Sequence, residues 1–219
     1  MDFLLLIIIF LPIISNLIFN SVYSKYSNIS NNFRITGMEA ARKILDINGL
    51  NDVKIVKING NLSDNYNPQT KTVSLSNNIA NGTSIASLAV AAHEVGHAIQ
   101  DKENYSFLKF RSALVPVVNF TSRFASIFII LGLMLELSNL YSIGIIFVGC
   151  GLLFQFITLP VEFNASDRAR KQLIKLNYIT DENKKDVKKM LNAAAFTYVA
   201  SFIVMLTQIL RLIGLRNRD

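Results

Sequence analysis

Apolar positions gather into four long runs, separated by polar and patterned sequence. FLLLIIIFLPIISNLIF, from Phe3 to Phe19, is nearly all apolar. The others run from about Leu114 to Leu137, interrupted by Arg123, from Tyr141 to Leu159, and from Ala193 to Leu210. Runs of this length mark bilayer-crossing helices rather than a soluble core. Before the first run stands Asp2 and no basic residue, and SVYSKYS after it is a poor cleavage site. It therefore reads as an uncleaved anchor, with Pro12 a place to kink. SNLY links the second and third runs so briefly that they form a helical hairpin. Pro160 ends the third run, and a new helix is expected to open directly after it, at Glu162.

The sequence from Ser21 to about Arg111 is polar and patterned like a globular region. TGMEAARKILDINGL predicts a helix with Thr36 and Glu39 as a capping box, an apolar stripe of Met38, Ala41, Ile44 and Leu45, and a stop at Gly49. VKIVKI, Val53 to Ile58, alternates as a strand does. A turn near Asn67-Pro68 precedes a strand from Thr70 to Leu75, and Asn81-Gly82 marks another turn. Thr83 or Ser84 then caps a helix through SIASLAVAAHEVGHAIQD, apolar on most sides and hence buried.

Four spans place Ser21–Arg111 and the polar stretch Glu162–Met190 on the same side of the membrane. Residues 161–193 hold Arg168, Arg170, Lys171, Lys175, Lys184, Lys185, Lys188 and Lys189, against Arg211, Arg216 and Arg218 on the opposite side. This bias puts both polar regions in the cytoplasm and both termini outside. The chain divides into an anchor at 1–20, a cytoplasmic α+β region at 21–113 and a transmembrane hairpin at 114–160. A cytoplasmic helical segment at 161–192 and a final span with a short tail at 193–219 follow. The net charge of +7 is then a product of topology, and nucleic acid is not an expected partner. One cysteine, Cys150, forms no internal disulfide, so nothing requires an oxidising compartment.

Candidate chemistry lies in AVAAHEVGHAIQ. His93 and His97, the only two histidines in the chain, share one helix face at i and i+4. They point two imidazoles at one ion, and Glu94 is placed to reach a water on it, as in zinc hydrolases. Gly96 lowers helix propensity by about 1 kcal/mol relative to alanine, which suggests close approach by another element.

Two histidines need a third ligand, and here it must be a thiolate or a carboxylate. Cys150 is mid-span. Asp2, Glu136 and Asp219 lie at the wrong side or far end. Asp101 and Glu103 are on or just past the histidine helix. Glu39, Asp46, Asp52 and Asp64 belong to a separate helix and its following turns, while Asp181, Glu182 and Asp186 sit in a solvated stretch. Glu162 and Asp167 remain. Glu162, between Val161 and Phe163, is a carboxylate in an apolar setting that needs a cation or a donor. Its alternative role is to complement a helix N-terminal dipole, worth under about 1 kcal/mol.

AAHEVGHAIQ, the upstream TKTVSLS, LPVEFNASDRA after the hairpin and AAAFTYVA in the last span together resemble the putative neutral zinc metallopeptidase family of bacterial membranes. The resemblance runs from about Arg34 to Ala200. It implies a mainly α membrane protein of about four transmembrane helices, with a small α+β zincin-like region. It also implies bound zinc, with His93, His97 and Glu162 as ligands and Glu94 as catalytic base. The expected activity is a membrane-anchored endopeptidase for peptide or protein segments of the cytoplasm or the bilayer, in a bacterial inner membrane.

A looser similarity to membrane-anchored quality-control zinc proteases implies an aspartate four residues after the ligand glutamate. Ser166 stands there, with Asp167 one place later, so these two are the candidates to support a ligand. The resemblance further implies that the strand Thr70–Leu75 is an edge near the site helix, to which an extended substrate adds as a strand. Tyr198, Tyr105 and Arg168 are candidates to stabilise the transition state, Tyr198 being equally suited to an interfacial anchor.

Two other readings compete. An intramembrane protease would need the HEVGH helix to be a span, which its short apolar lead and QDKEN after Ile99 oppose. A non-enzymatic membrane scaffold or zinc-binding regulator would keep the site and not hydrolyse.

Overall fold

The computed structural model describes residues 2–216. Met1 and residues 217–219 lie outside the described residues, and with them Arg218 and Asp219 of the charge and ligand arguments. The elements in chain order are α1 (Asp2–Ser27), α2 (Gly37–Ile47), β1 (Lys54–Ile58), β2 (Asn65–Asn67), β3 (Thr72–Ser76), α3 (Asn77–Asn81), α4 (Ile85–Lys102), α5 (Ser106–Met134), α6 (Ser138–Lys175) and α7 (Lys184–Arg216). The protein is mostly helical with one small sheet. Among the described residues, α1, α5, α6 and α7 contain four stretches long and apolar enough to cross a membrane.

Each apolar run is part of a longer helix than its own length predicts. α1 continues past Phe19 to Ser27, α5 begins at Ser106, and α7 joins the polar Lys184–Asn192 stretch to the last run. The expected break at Pro160 does not occur, because α6 passes through it to Lys175. A proline in a helix interior removes one backbone donor, and apolar helices tolerate this where neighbouring groups satisfy the freed carbonyl. Glu162 is therefore in mid-helix, and a helix N-terminal dipole does not explain it.

The chain folds as two compact units. Among the described residues, the first comprises 2–16, 106–160 and 197–216. It turns large apolar side chains outward, among them Phe120, Ile130, Met134, Ile146 and Leu210, as a lipid-facing surface does. Inside it, Ala125, Tyr141, Val148 and Leu212 pack together. A Cβ on Gly132 would lie 2.5 Å from the Tyr141 backbone nitrogen, so only glycine lets α5 and α6 approach this closely. The Tyr141 hydroxyl donates to the Leu212 carbonyl at 2.9 Å, satisfying a polar group within an apolar bundle.

The second unit comprises residues 17–105 and 161–196. Its centre is α4, buried along most of its length and packed on α2, α3 and the sheet. Ser84 is the N-cap of α4 and accepts from the Ser87 amide at 3.0 Å. The capping box of α2 is formed. Thr36 Oγ1 accepts from the Glu39 amide, and Glu39 accepts from the Thr36 amide at 2.9 Å. That backbone bond, with the Thr36 hydroxyl, holds the Glu39 carboxyl below its usual range. Gly49, with φ +64°, takes the left-handed position that ends the helix.

The sheet has the order β1-β3-β2, with β1 parallel to β3 and β2 antiparallel to it. The strand expected as an edge is therefore central. β3 pairs with β1 from Thr72 to Ser76 and with β2 from Thr72 to Ser74. Its backbone groups are engaged on both sides, and it does not offer the expected docking edge. The outer strands are β1 and β2. β2 is tied to α4 because the Tyr66 hydroxyl donates to Asp101 at 2.7 Å, and Lys71 pairs with the same carboxylate. Burial, with Asp101 beside it, pushes the Tyr66 hydroxyl well above its usual range.

Candidate metal centre

α4 and the part of α6 after Pro160 cross at Gly96. A Cβ there would lie 2.5 Å from the Ala165 carbonyl oxygen and 3.2 Å from its Cα. The glycine removes the side chain that would hold the two backbones apart, at the helix-propensity cost anticipated from the sequence. On α6, Ala165 stands between Glu162 and Ser166, and on α4, Gly96 stands between His93 and His97. The contact therefore brings four polar side chains of two helices together. Gly96→Ala is expected to force the helices apart, with an overpacking cost of about 1–3 kcal/mol. A lowered melting temperature together with weakened zinc binding is the expected result, and unchanged zinc affinity would contradict it.

His93, His97 and Glu162 present ligand atoms that all lie within 4.8 Å of one another. His93 Nε2 is 3.2 Å from Glu162 Oε2, and His97 Nε2 is 3.7 Å from the same oxygen. The two imidazoles stand edge to face with centroids 4.8 Å apart. Glu162 is only 2% exposed, and its neighbours Val161 and Ala165 are fully buried. Four-coordinate zinc with bonds of about 2.0–2.1 Å has ligand-to-ligand edges of about 3.3 Å, so the two nitrogen-to-oxygen distances suit such an ion. The donor set suits it too, since two neutral imidazoles and one carboxylate leave a position open.

The remaining candidates are distributed as follows. Glu94 is buried on α4 beside His93. Ser166 Oγ lies 3.2 Å from His93 Nδ1, on the ring edge opposite Glu162. Asp167 faces away from the cluster along the surface of α6, paired with Arg170 at 2.8 Å and Lys171 at 2.6 Å. Arg168 is held by Asn164 and by Glu103, each at 2.6 Å. Tyr105 follows the end of α4, its amide donating to the Gln100 carbonyl. Tyr198 lies on α7 in the first unit, half-buried.

Two side chains absent from the sequence reading join the cluster. Gln100 is completely buried and touches His97 Nδ1 at 3.0 Å, the Val161 carbonyl at 2.8 Å and Asn164 Oδ1 at 2.9 Å. Its signal in the sequence was a third polar residue on the helix face of His93 and His97, three places after His97. Asn164, in a stretch rich in charge, carried no such signal.

A family model described as "Putative neutral zinc metallopeptidase" matches residues 1–217. Among curated proteins, "Putative membrane protease YugP" of Bacillus subtilis (strain 168) is 44% identical over 201 residues, covering 91% of this chain and 89% of that protein. No solved structure matches the chain.

Proposed function

This chain belongs to the family described as putative neutral zinc metallopeptidases, and from that premise we propose that it is a membrane-anchored, zinc-dependent endopeptidase. The observation that carries the proposal is the meeting of His93 and His97 Nε2 on one oxygen of the buried Glu162. Two imidazoles and a carboxylate would hold zinc, which when bound supplies a Lewis acid that polarises a carbonyl and acidifies water. Glu94 takes the proton from the water that attacks the peptide carbonyl. It then delivers this proton to the leaving nitrogen as the C–N bond breaks. One water is consumed, and an acid and an amine result. Ser166 steadies the His93 ring at Nδ1.

The substrates are peptide or protein segments of the cytoplasm or of membrane proteins. The basic residues of 161–193 support a cytoplasmic position for the site, in a bacterial inner membrane. His93, Glu94 and His97 within α4, with Asp101 and Lys102 at its end, favour cleavage outside the bilayer core over cleavage within it.

The test is hydrolysis of an unfolded protein by the detergent-solubilised full chain. Treatment with 1,10-phenanthroline is expected to stop cleavage, and added zinc to restore it. Cleavage that persists without metal would overturn the proposal. Bound zinc with no cleavage of any unfolded substrate would favour a zinc-binding scaffold.

A further inference from the structure

The bonds around Gln100 decide which nitrogen of His97 carries its proton. A glutamine amide has two N–H donors on nitrogen and an oxygen that only accepts. The Val161 carbonyl, 2.8 Å away, can only accept, so it must face the Gln100 nitrogen. The second N–H of that nitrogen is directed at Asn164 Oδ1, 2.9 Å away. Asn164 is fixed in turn. Arg168 Nε lies 2.6 Å from its Oδ1 and an arginine can only donate, so an amide flip would set donor against donor. Arg168 is itself anchored at 2.6 Å by Glu103.

With both its N–H groups committed, Gln100 turns its oxygen to His97, 3.0 Å from Nδ1. An oxygen that only accepts requires a proton on Nδ1. The neutral ring then carries its lone pair on Nε2, the nitrogen that faces Glu162. Each amide in this chain is oriented by a group with a single role, since the Val161 carbonyl only accepts and Arg168 only donates.

We infer that Gln100 is a positioning residue of the metal centre: it locks His97 as the Nδ1–H tautomer, and Asn164 and Arg168 lock Gln100. The inference rests on the zinc reading of the same site for its purpose, but not for its geometry. His93 has a softer partner. The Ser166 hydroxyl can donate or accept, so it does not impose a tautomer by itself. Of the two histidines, His97 is the one whose state is dictated by the surrounding fold.

The chain has only two histidines, which makes a direct test practical. Full-length protein labelled with 15N-histidine is purified in detergent without metal. Its imidazole nitrogens are recorded above the usual imidazole titration range, and a His93→Gln variant assigns the two rings. Wild type is expected to show His97 as a single Nδ1–H tautomer. Gln100→Leu should show a mixture of tautomers and bind zinc about 10–100-fold more weakly in competition with a chelator.

Should Gln100→Leu fail to fold, Gln100→Met, unbranched and of similar length but without the amide, is expected to mix the tautomers. An Nε2–H ring in wild type would overturn the inference, as would a Gln100→Leu protein with unchanged tautomer and zinc affinity. A locked wild-type ring that binds no zinc would uphold the positioning and overturn the zinc reading instead.

Discussion

Glu94→Gln is expected to keep its zinc and its fold while losing peptide hydrolysis by a factor of about 10²–10⁴, the usual contribution of a general acid–base group. The glutamine has nearly the shape of the glutamate, so a residue buried on α4 is replaced without a cavity. What is lost is a carboxylate oxygen that can take a proton from water. Neither imidazole replaces it, since both ring nitrogens that face Glu162 are directed at the metal position. The measurement pairs the cleavage rate of an unfolded substrate with zinc content and melting temperature in the same preparation. Hydrolysis at the wild-type rate would remove Glu94 from the mechanism. Loss of zinc along with activity would make it a structural residue.

Glu162→Gln and Glu162→Ala are expected to weaken zinc binding by more than the about 10–100-fold that loss of an outer partner of a ligand costs. Glu162 supplies the only negative charge among the three side chains. Without it, two neutral imidazoles face a divalent ion with no compensating carboxylate. The glutamine variant keeps the volume of a side chain that is 2% exposed, so its effect separates ligation from packing. Asp167→Ala is the internal control. Its carboxylate pairs with Arg170 and Lys171 on the surface of α6, contacts worth under about 1 kcal/mol, and zinc affinity should not change. Chelator competition reads all three variants. A larger loss in Asp167→Ala than in Glu162→Gln would exchange their roles.

The candidate site was more legible in the sequence than the details of the fold around it. The i, i+4 histidines and the counting of spans depend on periodicity and length, which survive folding unchanged. They pointed to Glu162 across 64 intervening residues, and the structure sets it beside both imidazoles. Gly96 was conspicuous because a glycine inside a buried helix demands a reason, and the Ala165 backbone supplies it.

Other features left no such trace. Pro160 reads as a helix end by local rule, whereas α6 continues through it because its surroundings in the fold decide. β2 spans only Asn65–Asn67, too short to show alternation and flanked by Pro68, so the sequence gives no sign of the strand that covers the side of β3 where the resemblance implied an edge. Gln100 and Asn164 acquire meaning only through each other and through Arg168, a relation of three residues on two helices that no single stretch displays.

Whether two imidazoles and a carboxylate hold the zinc is read from X-ray absorption at the zinc edge of the loaded, detergent-solubilised protein. The expected first shell is nitrogen and oxygen near about 2.0–2.1 Å, with the outer scattering of two imidazoles and no sulfur. A sulfur at about 2.3 Å, which only Cys150 or a methionine could provide, or fewer than two imidazoles, would contradict it.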